Sequence, residues 1–172
     1  MSAVYRIRQG LRALTAWLAP VDDAQAEQLL TPDLYALYRA MRRSERQHSL
    51  RVLRDLRAAG HTDPDLLTAA LLHDVGKRRA RFGVAAKTLV VLVRAVAPAL
   101  YWRWGSGPAR GWRTPFAVSV RHPAWGAEMV AQAGGSPLAV ELIARHQDRL
   151  DGPPRTEADR LLAALQAVDN NN

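Results

Sequence analysis

Apolar residues recur every three or four positions through almost the whole chain, and no useful stretch alternates between apolar and polar residues. This spacing puts apolar side chains on one face of an α-helix, whereas a half-buried strand requires strict alternation. Residues 1–20 show the pattern, because Val4, Ile7, Leu11 and Leu14 share one helical face. The chain is therefore predicted to be all-α.

The size and composition of the chain are those of one globular domain. With 172 residues, 48% of them apolar and 23% charged, it can bury a core without cross-links. Cysteine is absent, which excludes disulfides, cysteine-ligated zinc and a thiolate nucleophile. We expect a single domain over residues 1–172, and the lack of cysteine suits a cytoplasmic protein.

Neither a signal peptide nor a membrane-spanning helix is predicted. Residues 1–20 contain Arg6, Arg8 and Arg12 where a signal peptide would need an unbroken apolar core. The most apolar run, residues 83–102, is interrupted by two charged residues and a proline. It therefore lacks the roughly 18 uninterrupted apolar residues that a spanning helix requires.

Capping residues and prolines predict where helices begin. Five starts follow from these signals: Thr31-Pro32, Asp63-Pro64, His122-Pro123, Ser136-Pro137, and Thr156 with Asp159 three residues later. The last pair resembles a capping box. A residue before proline disfavours the helix interior, so His122 is expected at an N-cap position.

Three longer segments are predicted to be helical. Residues 31–60 are expected to form a helix with a kink near Ser44, and residues 82–104 another, distorted at Pro98. Residues 66–72 are apolar nearly all round, which is typical of a helix at the centre of a protein. The glycine and proline content of residues 105–114 predicts a loop after the second of these helices.

Several residues with metal-binding side chains are expected to face the interior. His48, His146 and Asp169 fall on the apolar faces of their helices, and His73 and Asp74 end the most buried helix. An ionised aspartate on an apolar face is costly unless its charge is compensated. A divalent cation would compensate it.

With His122 added, the candidates occur in the order His, His-Asp, His, His, Asp, and His61, in a turn, is left out. This order resembles the ligand order of the HD superfamily, over about residues 45–169. The resemblance implies a compact all-α HD-domain bundle. Residues 31–172 would form its core and residues 1–30 a helical N-terminal extension.

The motifs around the candidates are similar to those of HD-GYP proteins. Residues 73–77 read His-Asp-Val-Gly-Lys against their His-Asp-Ile-Gly-Lys, and residues 122–127 match their His-Pro-x-x-Gly-Ala. In the fourth motif Gln147 replaces a second histidine, and the Gly-Tyr-Pro end is missing. We therefore expect a mononucleotide or linear dinucleoside polyphosphate as substrate in preference to cyclic di-GMP.

The resemblance also implies a two-metal site in which the catalytic Asp74 bridges. The two ligand sets would be His48, His73, Asp74 and Asp169 for one ion, and Asp74, His122 and His146 for the other. Nitrogen and carboxylate ligands suit Mn, Fe, Co, Ni, Zn or Mg, and spacing alone does not choose. Two such ions, about 3.5–4 Å apart, would activate a hydroxide and draw charge from phosphate oxygens.

Basic residues after the His-Asp pair are candidates for substrate binding. Lys77 follows His73 by four residues, so it is expected to face the same cavity, and we assign it to the phosphate as a catalytic and substrate-binding group. Its other interpretation is a solvated lysine. Arg78 and Arg81 would add positive charge. The net charge of +8 favours a small anionic phosphate substrate, and no specific nucleic acid is predicted.

An insert, about residues 78–115, separates the second and third ligand motifs. The interval from Asp74 to His122 is about twice as long as those between the other motifs, and it is rich in interleaved Arg and Trp. We favour a helical hairpin that covers the core, with Trp as packing and Arg as a solvated edge. A lid that contacts the substrate and a peripheral contact with acidic membrane are the functional alternatives.

The sequence thus favours a metal-dependent phosphohydrolase that cleaves a small phosphate ester by a metal-activated hydroxide. An HD-type diiron oxygenase resembles the same ligand set. A cyclic di-GMP phosphodiesterase and a non-catalytic, metal-bound sensing module also stay open. Lys77 and the HD-GYP-like flanks favour hydrolysis.

Overall fold

The computed structural model describes residues 21–80 and 83–172, and within them the chain is helical, with no strand. The predicted all-α class is confirmed. The helices are α1 (Ala24–Leu29), α2 (Pro32–Arg39), α3 (Arg43–Ala58), α4 (Pro64–Leu72), α5 (Val84–Val96), α6 (Pro98–Gly105), α7 (Thr114–Gln132), α8 (Pro137–Arg145) and α9 (Glu157–Asp169). Two 3-10 turns, Val75–Arg79 and Gly111–Arg113, precede α5 and α7. The helix predicted within residues 1–20 lies outside the described residues, as does Arg81.

Three predicted helix starts are confirmed by side-chain caps. Asp63 accepts hydrogen bonds from the backbone N–H groups of the first turn of α4, and Ser136 accepts one at the start of α8. Thr156 and Asp159 form a reciprocal capping box at the start of α9. These caps occupy backbone donors that have no partner inside the helix.

Two long predicted helices are each divided in the structure. Residues 31–60 form α2 and α3, which are separated around residues 40–42 instead of being kinked at Ser44. Glu45 caps the second of them by accepting a hydrogen bond from the backbone N–H of Arg42, 3.0 Å away. In the insert, α5 and α6 are separated at Ala97, which leaves the helical region because a residue before proline disfavours it.

The prediction of His122 as an N-cap is wrong. His122 and Pro123 lie well inside the continuous helix α7. Proline removes the N–H that would reach the carbonyl of Ser119. That oxygen instead lies 3.1 Å from Nδ1 of His122, so the side chain replaces the missing backbone donor.

The main core surrounds α4, as its apolar sequence predicts. Residues of α4 are buried and pack against α3 and α8, and a single apolar cluster joins them with α1, α2 and α9. A second, small cluster joins the insert to α7 and is made by Val90, Tyr101 and Phe116. In the described part of the chain, no helix is both long and apolar enough to cross a membrane.

Helix α7 and the turn Val75–Arg79 pack closely because of one glycine. A Cβ atom built on Gly76 would overlap the carbonyl oxygen of His122 and lie 2.8 Å from the backbone nitrogen of Gly126. The absence of a side chain therefore lets the segment that follows Asp74 approach His122.

Candidate metal centre

The six predicted ligands converge from five helices or helix ends. His48 lies in α3, His122 lies in α7, and the others stand at or just after helix ends: His73 and Asp74 after α4, His146 after α8, and Asp169 at the end of α9. They form two groups, in each of which the ligand atoms lie within 4.8 Å of one another. The outer group is His48, His73 and Asp169, and the inner group is Asp74, His122 and His146.

In the outer group, one carboxylate oxygen lies between two imidazoles. Oδ1 of Asp169 is 2.8 Å from Nε2 of His48 and 3.5 Å from Nε2 of His73. This group is partly accessible, because the side chains of His48 and Asp169 are 21% and 27% exposed. Solvent therefore reaches the outer group directly.

In the inner group, Oδ1 of Asp74 faces the imidazoles of His122 and His146, at 3.4 and 4.0 Å from their Nε2 atoms. The other oxygen of Asp74, Oδ2, lies 3.7 Å from Nε2 of His73, which belongs to the outer group. One carboxylate thus presents an oxygen to each group. Asp74 therefore lies between the two groups, and its role as a bridge between two ions stays a prediction.

Backbone carbonyls set the orientation of three of the imidazoles. Nδ1 of His73 lies 3.0 Å from the carbonyl of Ala70, and Nδ1 of His146 lies 2.7 Å from that of Ile143. Nδ1 of His122 faces the carbonyl of Val118 at 3.0 Å. A carbonyl only accepts hydrogen bonds, so each Nδ1 carries the hydrogen. In the neutral rings, Nε2 then carries a lone pair that points into the centre, which is the usual arrangement of a metal-binding histidine.

These lone pairs need a cation. Nε2 of His73 is buried and has no hydrogen-bond partner among the described residues. The Nε2 atoms of His122 and His146 face each other at 3.2 Å, although neither neutral ring has a hydrogen there to donate. Nε2 of His122 has one donor nearby, the amide of Gln147 at 3.5 Å, and buried acceptors that lack a donor are costly. A divalent cation bound by nitrogen and carboxylate ligands would satisfy them, so the residues present fit such an ion.

The pKa values of the two aspartates show that positively charged neighbours stabilise the ionised carboxylates. Burial would raise the pKa of Asp74, but His73, Lys77 and His122 hold it well below its usual value. Burial likewise opposes ionisation of Asp169, yet the hydrogen bond with His48 and the positive charge of His73 lower its pKa. Both carboxylates are therefore charged.

The pKa values of the imidazoles of His146 and His73 are shifted in opposite directions. Burial, together with the charges of His73 and His122, lowers the pKa of His146 to about 3. For His73, burial is outweighed by the charges of Asp74 and Asp169, which raise its pKa. Without a metal, the two carboxylates draw a proton to the most central ring.

Lys77 reaches the centre, whereas Arg78 and Arg79 do not. Its Nζ donates a hydrogen bond to Oδ2 of Asp74 at 2.6 Å, and its side chain is 36% exposed. Arg78 is exposed and lines neither of the two cavities that flank the centre. Arg79 turns to the surface, where it bonds Glu128 and stacks on Trp125.

Two cavities flank the metal centre. The larger, about 440 Å³, is mostly polar and is lined by His146, Gln147, Asp169, Arg94 and Arg149, among others. The smaller, about 220 Å³, is mostly apolar and is lined by residues that include Lys77, Val90, Ser119 and Lys87. Both therefore open beside residues of the proposed metal site.

Helix α5 of the insert borders both cavities. Lys87, Val90 and Val91 line the smaller one, and Arg94 lines the larger one. Neither Lys87 nor Arg94 was predicted from the sequence to lie beside the metal centre. Lys87, Val90, Val91 and Arg94 are spaced at i, i+3, i+4 and i+7, which places them on one helical face. This spacing was the signal in the sequence that could have identified them. The insert thus lies against the metal centre, as both the covering-hairpin and the lid interpretations require.

Gln147, which replaces the second histidine of the HD-GYP motif, also lies at the centre. Its Nε2 is 3.5 Å from Nε2 of His122. An amide nitrogen carries hydrogens and no lone pair for a metal. This position therefore contributes a hydrogen-bond donor to the inner group.

The comparison with protein families agrees with this geometry. The model of the HD domain matches residues 46–171, a span that includes all six candidate ligands. The match concerns the HD domain as a whole, and the HD-GYP likeness stays a prediction. No curated protein and no solved structure matches the chain. Since the family model covers most of the sequence and the ligands converge in space, the chain belongs to the HD domain family.

Proposed function

We propose that this protein is a metal-dependent phosphohydrolase that cleaves a small phosphate ester, such as a mononucleotide or a linear dinucleoside polyphosphate. The observation that carries the proposal is the position of Asp74. Its two carboxylate oxygens face different ligand groups, at 3.4 Å from His122 and 3.7 Å from His73. Two cations that share one carboxylate are typical of hydrolytic phosphate chemistry.

In this proposal the outer and inner groups each hold one divalent cation. Such ions would supply Lewis-acid activation of water and would neutralise phosphate charge. The chain contributes the orientation, because the carbonyls of Ala70, Val118 and Ile143 hold three imidazoles with Nε2 inward. Fixed ligands of this kind need no reorganisation when the substrate arrives.

Lys77 is proposed to bind the phosphate. Its ammonium group stands 2.6 Å from Asp74, at the boundary of the smaller cavity, and its side chain is partly exposed. It can therefore exchange the carboxylate for a substrate phosphate through a small change of side-chain rotamer. An ammonium on a phosphate oxygen forms a charge-assisted hydrogen bond, which is stronger than a neutral one.

The two cavities support a substrate with a charged and an apolar part. Arg94 and Arg149 line the polar cavity and would bind further phosphate groups. Val90, Val91 and Pro115 line the apolar cavity and would receive the organic part. The larger cavity, about 440 Å³, is in the size range of known small-molecule sites, and the smaller one, about 220 Å³, would hold only part of a ligand.

The test is metal content followed by a substrate panel. Protein purified without chelator is analysed for bound metal, and phosphate release is then measured with Mn²⁺ or Fe²⁺ and mononucleotides, linear dinucleoside polyphosphates and cyclic di-GMP. His61→Ala is the matched control, because His61 lies outside the metal centre. The proposal predicts release that Asp74→Ala abolishes and His61→Ala preserves.

Two results would contradict it. Faster turnover of cyclic di-GMP than of every mononucleotide and linear polyphosphate tested would overturn the substrate class. Consumption of O₂ with an organic substrate, without phosphate release, would assign the centre to oxygenase chemistry.

A further inference from the structure

The exposed apolar side chains of this protein are concentrated in the insert. Within the described residues, the large hydrophobic side chains that are exposed all belong to residues 89–112, with exposures of 40–72%. They are Leu89, Val91, Leu92, Val96, Leu100, Trp102 and Trp112. Single exposed hydrophobics are ordinary, but a cluster in one segment marks an interaction surface.

Helix α5 carries an apolar stripe on its solvent side. Leu89, Leu92 and Val96 follow the i, i+3, i+7 spacing of one helical face, and each is about half exposed or more. The opposite side contributes buried Val90 to the core of the insert and Arg94 to the polar cavity. A surface helix normally places polar residues outward, so this stripe lacks a partner in the described chain.

Basic residues are concentrated in the same part of the chain as the exposed apolar side chains. Residues 75–127 contain ten of the 24 lysines and arginines and none of the 16 acidic residues. In the same segment as the stripe, Lys87, Arg103, Arg110 and Arg113 are exposed. The rest of the chain has slightly more acidic than basic residues. The net positive charge of the protein is therefore carried by the segment that also holds its exposed apolar side chains.

Two exposed tryptophans stand on the same segment. Trp112 stacks under the guanidinium of Arg113 at 5.2 Å, and it lines a groove together with Leu89. Trp102 is 57% exposed on α6. Tryptophan, with an apolar body and a polar N–H, is the residue enriched at the boundary between lipid and water.

We propose that the insert docks on the surface of an anionic lipid bilayer. The stripe Leu89, Leu92 and Val96 would lie among the acyl chains just below the headgroups, with Trp112 at the interface. The surrounding bases would contact anionic headgroups. Helix α5 is about 20 Å long, too short to cross a hydrocarbon layer of about 30 Å, so it would lie in the plane of the interface.

The charges disfavour other occupants of this surface. A second copy placed face to face would bring two strongly basic segments together, with no acidic residue on either to pair with them. A nucleic acid would use the bases but leave Leu89, Leu92 and Val96 in water, since it is recognised through phosphates and stacked bases. An anionic bilayer satisfies both the apolar and the basic components.

The test is flotation with vesicles, and it does not depend on catalytic activity. Full-length protein is mixed with vesicles of phosphatidylcholine alone or of phosphatidylcholine and phosphatidylglycerol in a 7:3 ratio. We expect binding to the anionic vesicles, weaker at high salt, and at least tenfold less binding to the neutral ones. Equal binding to both compositions, or binding to neither, would overturn the proposal.

Surface variants locate the contact. Leu92→Glu should weaken binding at least tenfold, and Arg103→Glu by more than the roughly fivefold expected for each positive charge removed. Arg160→Glu, an equal charge change at an exposed position of α9, is the matched control and should have a smaller effect. Unchanged circular dichroism and metal content would show that each variant is folded.

Light scattering distinguishes a second copy from a membrane. Light scattering could show a stable dimer in vesicle-free solution that becomes a monomer in Leu92→Glu. If flotation of this variant is unaffected, the stripe serves self-association and the proposal is overturned. Equal loss of flotation in Arg160→Glu and Arg103→Glu would overturn it as well, because the attraction would then reflect net charge and not this surface.

Discussion

The two ligand groups of the centre differ in burial, although they share Asp74. The inner side chains are at most 6% exposed, whereas His48 and Asp169 of the outer group are 21% and 27% exposed. In the outer group Asp169 already offers an acceptor to His48, while in the inner group two imidazole lone pairs face each other. The inner group therefore has the greater need for a cation, and the outer group has the easier access to substrate.

Removal of the shared carboxylate should have the largest effect. Asp74→Ala deletes the oxygen that faces each group, so we expect loss of most of the bound metal and a fall in phosphate release on the order of a thousandfold. Metal analysis and steady-state kinetics measure both quantities. A variant that keeps the metal content of the parent would show that Asp74 is not a bridge.

Single-group variants should each lose about one equivalent of metal. His48→Ala removes an outer ligand and His146→Ala an inner ligand, and the variants should differ in which ion remains. Because the inner group is buried, the ion retained in His48→Ala should resist chelator for longer than the ion retained in His146→Ala. Similar dissociation rates would remove the distinction between the groups.

Loss of Lys77 should affect the substrate and leave the metal. Lys77→Ala removes a partly exposed ammonium group that no ligand set requires, so we expect unchanged metal content and a fall in kcat/KM of about 10- to 100-fold. Isothermal titration with inorganic phosphate would show weaker binding. If metal is lost instead, Lys77 supports Asp74 and not the phosphate.

The metal-free protein should lose stability as the pH falls from about 6.5. His146 has a pKa of about 3 in the folded protein and an ordinary value when unfolded, so the unfolded state takes up the extra proton in this interval. The raised pKa of His73 makes the free energy of unfolding depend on pH only above this interval. The lowered pKa values of Asp74 and Asp169 do so only below about pH 4.

The expected slope is at most about 1.4 kcal/mol per pH unit. Urea unfolding of chelator-treated protein between pH 4.5 and 7 measures it, with His146→Gln as the comparison. The variant should have a flatter profile, because it lacks the titrating ring. The same slope in both proteins would place the titration elsewhere.

Short-range signals in the sequence were sufficient for much of the fold. Asp63, Ser136 and Thr156 were identified as caps from their own sequence contexts, and each caps its helix in the structure. Capping involves backbone groups only two or three residues away, so the local sequence contains the whole interaction. The apolar surface of residues 66–72 likewise required a central position.

His122 shows where local reasoning failed. The rule for residues before proline led to an N-cap, but a carbonyl freed by Pro123 accepts the imidazole Nδ1–H and the helix continues. Gly76 then packs against the backbone of His122 from another segment. Neither compensation can be deduced from the spacing of residues around position 122.

The sequence by itself determined the helical class, the order of the six ligands and the position of the insert, because periodicity, caps and motifs are properties of neighbouring residues. Only the tertiary structure decided that Asp74 faces both groups, that the inner group is buried, and that Lys87 and Arg94 border the site. It also decided which side of α5 is exposed. These properties depend on how α3, α4, α7, α8 and α9 are packed around one another. Such packing involves residues up to 121 positions apart, as in the pair His48 and Asp169.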